Sequence, residues 1–136
     1  MDVAMARAAR TYFETHVQSQ SPLELVVLLY DGMLRFMHGA AEAIERRDLP
    51  AKRAAVSRAL AVLGELQTTL NMQEGRDVAA ALDSLYAYVS GLVTEANVRN
   101  DPAPLRESIR LMTTLREAWA QISLPPAPAP ASQEHT

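Results

Sequence analysis

Three histidines, His16, His38 and His135, and sixteen Asp and Glu residues are the side chains in this 136-residue sequence that could hold a metal or move a proton. A di-metal site in a helical protein uses Glu-x-x-His pairs, because residues three apart share one helix face. None of the three histidines has a Glu three positions before it. His38 falls in a polar sector of its helix, and His38–Gly39–Ala40–Ala41–Glu42 brings no cation on the next turn to steady a phosphoryl group. Met37 beside it reads as core filler rather than as a haem ligand. The absence of Cys removes disulfides, thiolate zinc sites, iron–sulfur clusters and cysteine nucleophiles together. No Gly-rich loop follows a strand pattern, and no Ser stands in a local pattern with a base. The expectation is a protein without catalysis, metal or cofactor.

Net charge is −3, so no basic field exists to hold a polyanion, and nucleic-acid binding is not expected. Twelve of the thirteen cations are Arg, and Lys52 stands alone. The strongest apolar run, Leu25 to Tyr30, is far too short to cross a bilayer, and the N-terminus has no apolar signal core. A soluble, cytoplasmic protein without membrane insertion is the expectation.

The elements that would position any binding surface are helices. Leu and Ala dominate, only five Gly are present, and aromatic residues make up 5%. Ser21 and Pro22 supply a cap and a first helical residue, with Glu24 closing a capping box. Leu23, Val26, Tyr30, Met33, Met37, Ala40 and Ile44 then alternate at spacings of three and four. Asp48 with Pro50 starts a second helix, whose seam is Val56, Ala59, Leu63, Leu66 and Leu70. The third places Val78, Leu82, Leu85, Val89, Leu92 and Ala96 on its seam. Asp101 with Pro102 and Pro104 opens a fourth, carrying Leu105, Met112, Leu115, Trp119 and Ile122. This predicts an all-α, antiparallel four-helix bundle over residues 21–122, with helices at about 22–46, 50–72, 77–98 and 102–122. Residues 1–20 form an N-terminal cap segment in this reading, and the four-proline stretch 123–136 a disordered tail.

The first helix is more apolar than a bundle requires. Glu24, Asp31, Arg35, His38 and Glu42 share one narrow sector, and Leu25, Leu29 and Phe36 lie roughly opposite it. The apolar arc is then about 200°, where a surface helix needs little more than about 100°. Either this helix is more deeply buried than its neighbours, or residues 1–20 cover it, or the extra strip receives an apolar partner.

Short motifs in register complete the reading. Tyr12, Val17, Ser21–Pro22, Glu24–Leu25–Val26 and Leu29–Tyr30–Asp31–Gly32 come first. Glu65–Leu66, Leu70–Asn71, Leu82, Leu85–Tyr86 and Tyr88 follow, then Ala96–Asn97, Asp101 and Leu115–Arg116–Glu117–Ala118–Trp119. Over residues 12–120 this series resembles the FliS family of flagellar secretion chaperones. Two departures stand out. Gly75–Arg76–Asp77 replaces the family's usual Gly-Gly-Glu turn, and Ser19–Gln20 replaces its Thr-Ala before Ser-Pro.

The resemblance implies a helical bundle that binds the disordered C-terminal segment of flagellin in the cytoplasm. It implies that the chaperone prevents premature polymerisation and aids delivery to a component of the flagellar export gate. On that footing Leu25, Leu29, Phe36 and Tyr86 (beside Leu85, one position off the third seam) are the candidate client-binding residues. Tyr12 and Val17 are candidates for a removable cap or an export-gate contact. A non-catalytic helical adaptor for a folded partner is the alternative.

Overall fold

The structure, a computed structural model, describes residues 22–123, apart from the side chains of 72–74 and 123. The N-terminal segment with Tyr12, Val17 and the Ser21 cap, and the proline-rich tail, lie outside the described residues.

Within the described residues four helices account for nearly the whole chain: α1 (Pro22–Glu45), α2 (Leu49–Thr68), α3 (Met72–Arg99) and α4 (Ala103–Ser123). The α1–α2 turn is made by two residues with opposite demands. Arg47 adopts a left-handed φ of 61°, which lets the Asp48 N–H reach back to the Ala43 carbonyl at 2.8 Å and close α1. The Asp48 carboxylate then accepts from the Ala51 N–H at 3.1 Å and opens α2, with Pro50 in its first turn. The α3–α4 turn repeats the device. Asn100 sits at φ 53°, the Asp101 N–H returns to the Ala96 carbonyl, and the Asp101 carboxylate accepts from Ala103 N–H at 3.0 Å.

The connection at the other end is irregular. α2 stops at Thr68, short of Leu70, because the hydroxyls of Thr68 and Thr69 bond back to the carbonyls of Glu65 and Leu66, both at 2.9 Å. Leu70 still packs on the core from beyond the helix. α3 is broken at Arg76, whose φ of 45° and ψ of −118° belong to glycine space. A Cβ on the preceding Gly75 would stand 2.7 Å from the Ala79 Cβ, so only glycine fits there.

α1 packs against α2 and α4, and α3 packs against the same two, which sets α1 and α3 on a diagonal. Side-chain bonds fix the antiparallel order: Glu45 of α1 pairs with Arg106 of α4, while the earlier Asp31 meets the later Arg116. The core is Tyr30, Met33, Met37, Ala40 and Ile44 of α1; Val56, Ala59, Leu63 and Leu66 of α2; Tyr86, Val89, Val93 and Ala96 of α3; and Leu105 and Met112 of α4.

The seams expected for α1 and α2 match these lists from Tyr30 onward; Leu23 and Val26 at the start of α1 are half-buried, and Leu70 lies past the end of α2. That of α3 matches in part: Leu82, Val89, Leu92 and Ala96 face the core as expected, and Leu85 packs on its edge. The sequence allows two phases, and the structure takes Ala79, Leu82, Tyr86, Val89, Val93 and Ala96, spaced 3, 4, 3, 4, 3. Val78, expected on the seam, is 67% exposed. On α4 the expected seam fades outward: Leu115 and Trp119 are half-buried, and Ile122 is exposed.

Candidate functional site

The phase of α3 decides what its tyrosine does. Tyr86 is buried, and its hydroxyl lies 2.6 Å from that of Tyr30 across the diagonal of the bundle. The rings are 6.5 Å apart and tilted by 56°; Trp119 stands at the same distance and tilt from Tyr30. Burial pushes the Tyr30 and Tyr86 phenols above the ordinary tyrosine range, because a phenolate there would lose its water. The indole N–H of Trp119 is also enclosed; it makes no hydrogen bond of normal geometry among the described residues, although it stands near enough to the Tyr30 hydroxyl to offset part of that burial effect.

One residue further along α1, Asp31 receives Arg116 of α4 in a two-pronged pair, Nε to Oδ1 at 2.8 Å and Nη2 to Oδ2 at 3.4 Å. The pair holds the guanidinium above its ordinary range. Tyr30–Asp31, Tyr86 and Arg116–Trp119 come from three separate sequence motifs and meet in one cluster. Their first role is to set helix register.

The four candidate client residues separate in space. Leu25, Leu29 and Phe36 are half-buried on α1, and Leu29 and Phe36 pack against the core. Part of the wide apolar arc of α1 is thus covered by the bundle itself, since α1 has neighbours on two sides. Close packing on α2 adds to this: Ala40 and Ala43 are fully buried, and a Cβ on Gly39 would lie 4.0 Å from that of Ala55. Tyr86 does not share the strip. It points into the core, more deeply than its neighbour Leu85, which is half-buried and packs against the core from the edge.

Two charged features had no sequence signal. Lys52, the lone lysine, is buried at 5% exposure; its Nζ donates to the Asn97 carbonyl at 2.9 Å and to Asn100 Oδ1 at 2.6 Å. It therefore serves a carbonyl left open at the end of α3 and the side chain of the left-handed Asn100, where a cation also suits the helix dipole. The other is a shallow, open depression of about 480 Å³ between α1 and α4, rimmed by His38, Glu42, Arg106 and Arg110 over Ala41 and Ile109. Its rim mixes signs. Among the described residues no three His, Asp or Glu side chains gather as a metal-holding group, and no helix is long and apolar enough to cross a membrane.

A chain-wide comparison matches residues 5–126 to the family described as flagellar protein FliS. The chain is similar to the flagellar secretion chaperone FliS of Bacillus subtilis, with 32% identity over 119 residues covering 88% of both chains. Similarity to the flagellar secretion chaperone FliS of Salmonella typhimurium is 34% over 116 residues, 85% of this chain and 86% of that one. The flagellar secretion chaperone FliSB of Pseudomonas aeruginosa is 32% identical over 120 residues, 88% of this chain and 95% of its own. With the bundle in place and the motif residues converging on its diagonal, the match over nearly the full length settles the assignment: this chain belongs to the FliS family of flagellar proteins.

Proposed function

We propose that this protein is a cytoplasmic, non-catalytic flagellar secretion chaperone whose client is the disordered C-terminal segment of flagellin. Binding holds the client monomeric, and the complex is then delivered to a component of the flagellar export gate. The observation that carries the reading is the family match across residues 5–126. The half-buried strip of Leu25, Leu29 and Phe36 on α1 supports it physically. A disordered segment must bury apolar surface to offset its ordering entropy, and such a strip offers it at about 25 cal/mol per Å². Tyr86 acts behind that face, by fixing α1 through Tyr30, and Tyr12 and Val17 act as a removable cap or a gate contact.

Calorimetric titration with a flagellin C-terminal peptide, with circular dichroism of the mixture, tests the proposal. The expected result is binding accompanied by a gain of helix in the peptide. Leu29→Glu should keep the fold and weaken binding at least tenfold, about 1.4 kcal/mol. Unchanged affinity in that variant would move the groove off α1. Absence of any binding, with a folded flagellar protein captured instead, would favour an adaptor.

A further inference from the structure

The seam between α1 and α4 ends in an open apolar patch. Glu45 meets Arg106, Asp31 meets Arg116 and Tyr30 meets Trp119, so the contacts step back along α1 as α4 advances. Leu23 and Val27 precede Asp31 by eight and four residues and share the side of α1 that Asp31 turns toward α4. Both are half-buried, as is Trp119 on α4. Ile122, one turn beyond Trp119, comes level with Val27 and is 61% exposed. Two apolar side chains from each helix thus line the last stretch of one seam.

The sequence that continues from α4 suits that patch. Leu124 to Gln133 carries no charge and contains all four prolines of the tail. Pro125 and Pro126 cannot extend the helix, and Leu124 before them is biased to extended backbone. Pro128 follows Pro125 by three residues, one turn of a polyproline helix, so the two share a face. Such a segment is stiff before it docks, loses little entropy in docking, and packs well on aromatic rings. It is also close: Trp119 lies four residues, about 6 Å, back from Ser123 along α4. Three extended residues span about 9 Å, so a reversed chain brings Pro125–Pro128 alongside the indole. Residues 1–21 adjoin the same end through Pro22, but Asp2, Arg7, Arg10 and Glu14 interrupt them with charge.

We propose that the proline-rich tail of this chain is the occupant of the patch. It folds back as a strap, with Pro125 and Pro128 on Trp119 and Ile122 and with Leu124 toward Val27. The strap closes the α1–α4 seam beside the Asp31–Arg116 pair. It leaves the client strip free, because Leu25, Leu29 and Phe36 lie on the side of α1 away from Asp31. The inference therefore stands apart from the client reading.

The test uses the isotope-labelled full chain, and Trp119, its single tryptophan, reports on this one patch. The expected result is nuclear Overhauser contacts between the indole protons and the rings of Pro125 and Pro128, unchanged on dilution. Pro125→Ser, Pro126→Ser and Pro128→Ser combined should move Trp119 emission to the red and raise its quenching by acrylamide at least twofold, with helix content retained. Ile122→Ser, at an exposed position, should weaken the proline–indole contacts. The proposal is overturned if those contacts are absent from the wild type, or if protons of residues 1–21 stand in their place. It is equally overturned if the contacts run between labelled and unlabelled copies, if the triple variant is quenched like the wild type, or if Ile122→Ser leaves the contacts intact.

Discussion

Replacing Tyr86 by Phe removes one oxygen and leaves the ring in place, so nearly all the effect comes from one hydrogen bond. That bond, 2.6 Å long, joins two hydroxyls on side chains at 0% and 2% exposure. Without it the Tyr30 hydroxyl stays buried with its partner gone, a loss of about 1–3 kcal/mol. Removing both hydroxyls leaves no orphan, so Tyr30→Phe with Tyr86→Phe should cost less than the sum of the single changes, with a coupling of about 1 kcal/mol or more. Denaturant unfolding followed by Trp119 fluorescence reads this directly, because the indole lies 6.5 Å from the Tyr30 ring. Each kcal/mol should move the melting midpoint by about 4–8 °C for a bundle of this size. The pH dependence has a defined sign. Both phenols titrate above their unfolded value of about 10, so their contribution is complete below that pH and is lost as pH rises above it toward the folded values. The single Phe variant should lose less stability than the wild type in that alkaline window. A change under about 0.5 kcal/mol, or strictly additive single and double variants, would refute the reasoning.

Three further substitutions follow from the geometry. Lys52→Met keeps the aliphatic stem but leaves the Asn97 carbonyl and Asn100 Oδ1 without their donor, and should cost about 1–3 kcal/mol in urea unfolding. Arg76→Gly should raise stability by about 1 kcal/mol, since relief of the strained backbone outweighs the added freedom of the unfolded chain; a lower unfolding midpoint would contradict it. Trp119→Ala should cost about 2–4 kcal/mol by chemical denaturation, below the range for a wholly enclosed tryptophan because the side chain is only half-buried.

The parts legible from sequence were those governed by local rules. Asp48 and Pro50, and Asp101 with Pro102, announce helix starts through chemistry that depends on a few neighbouring residues, and the hydrogen bonds at Ala51 and Ala103 follow from it. The α1 seam was readable because the polar sector of Glu24, Asp31, Arg35, His38 and Glu42 left one wide apolar arc, on which Tyr30, Met33 and Met37 lie beside the strip of Leu25, Leu29 and Phe36. On α3, Leu85–Tyr86 and Leu92–Val93 are adjacent apolar pairs, so two phases satisfy the same periodicity equally well. The choice between them is made by Tyr30 on another helix, information that no local window contains. Lys52 was opaque for the same reason: its acceptors lie 45 and 48 residues away. The α1 strip was seen as excess apolarity, yet how far α2 and α4 cover it depends on packing, which spacing does not specify.

Asp48 has a consequence for how the chain reaches and leaves its folded state. Its backbone N–H terminates one helix and its carboxylate initiates the next, so fraying of either end removes a bond from both. Asp101 couples the last two helices in the same manner. The two turns thus tie α1 to α2 and α3 to α4 by bonds close in sequence, while the extensive packing of α1 on α4 closes the bundle between residues far apart in the chain. The joint between the two pairs is the strained Gly75–Arg76 segment, while Lys52 and the Tyr30–Tyr86 pair clasp them across the interior. Hydrogen exchange should therefore show the amides on both sides of Asp48, and those on both sides of Asp101, opening together, ahead of the single core that all four helices share.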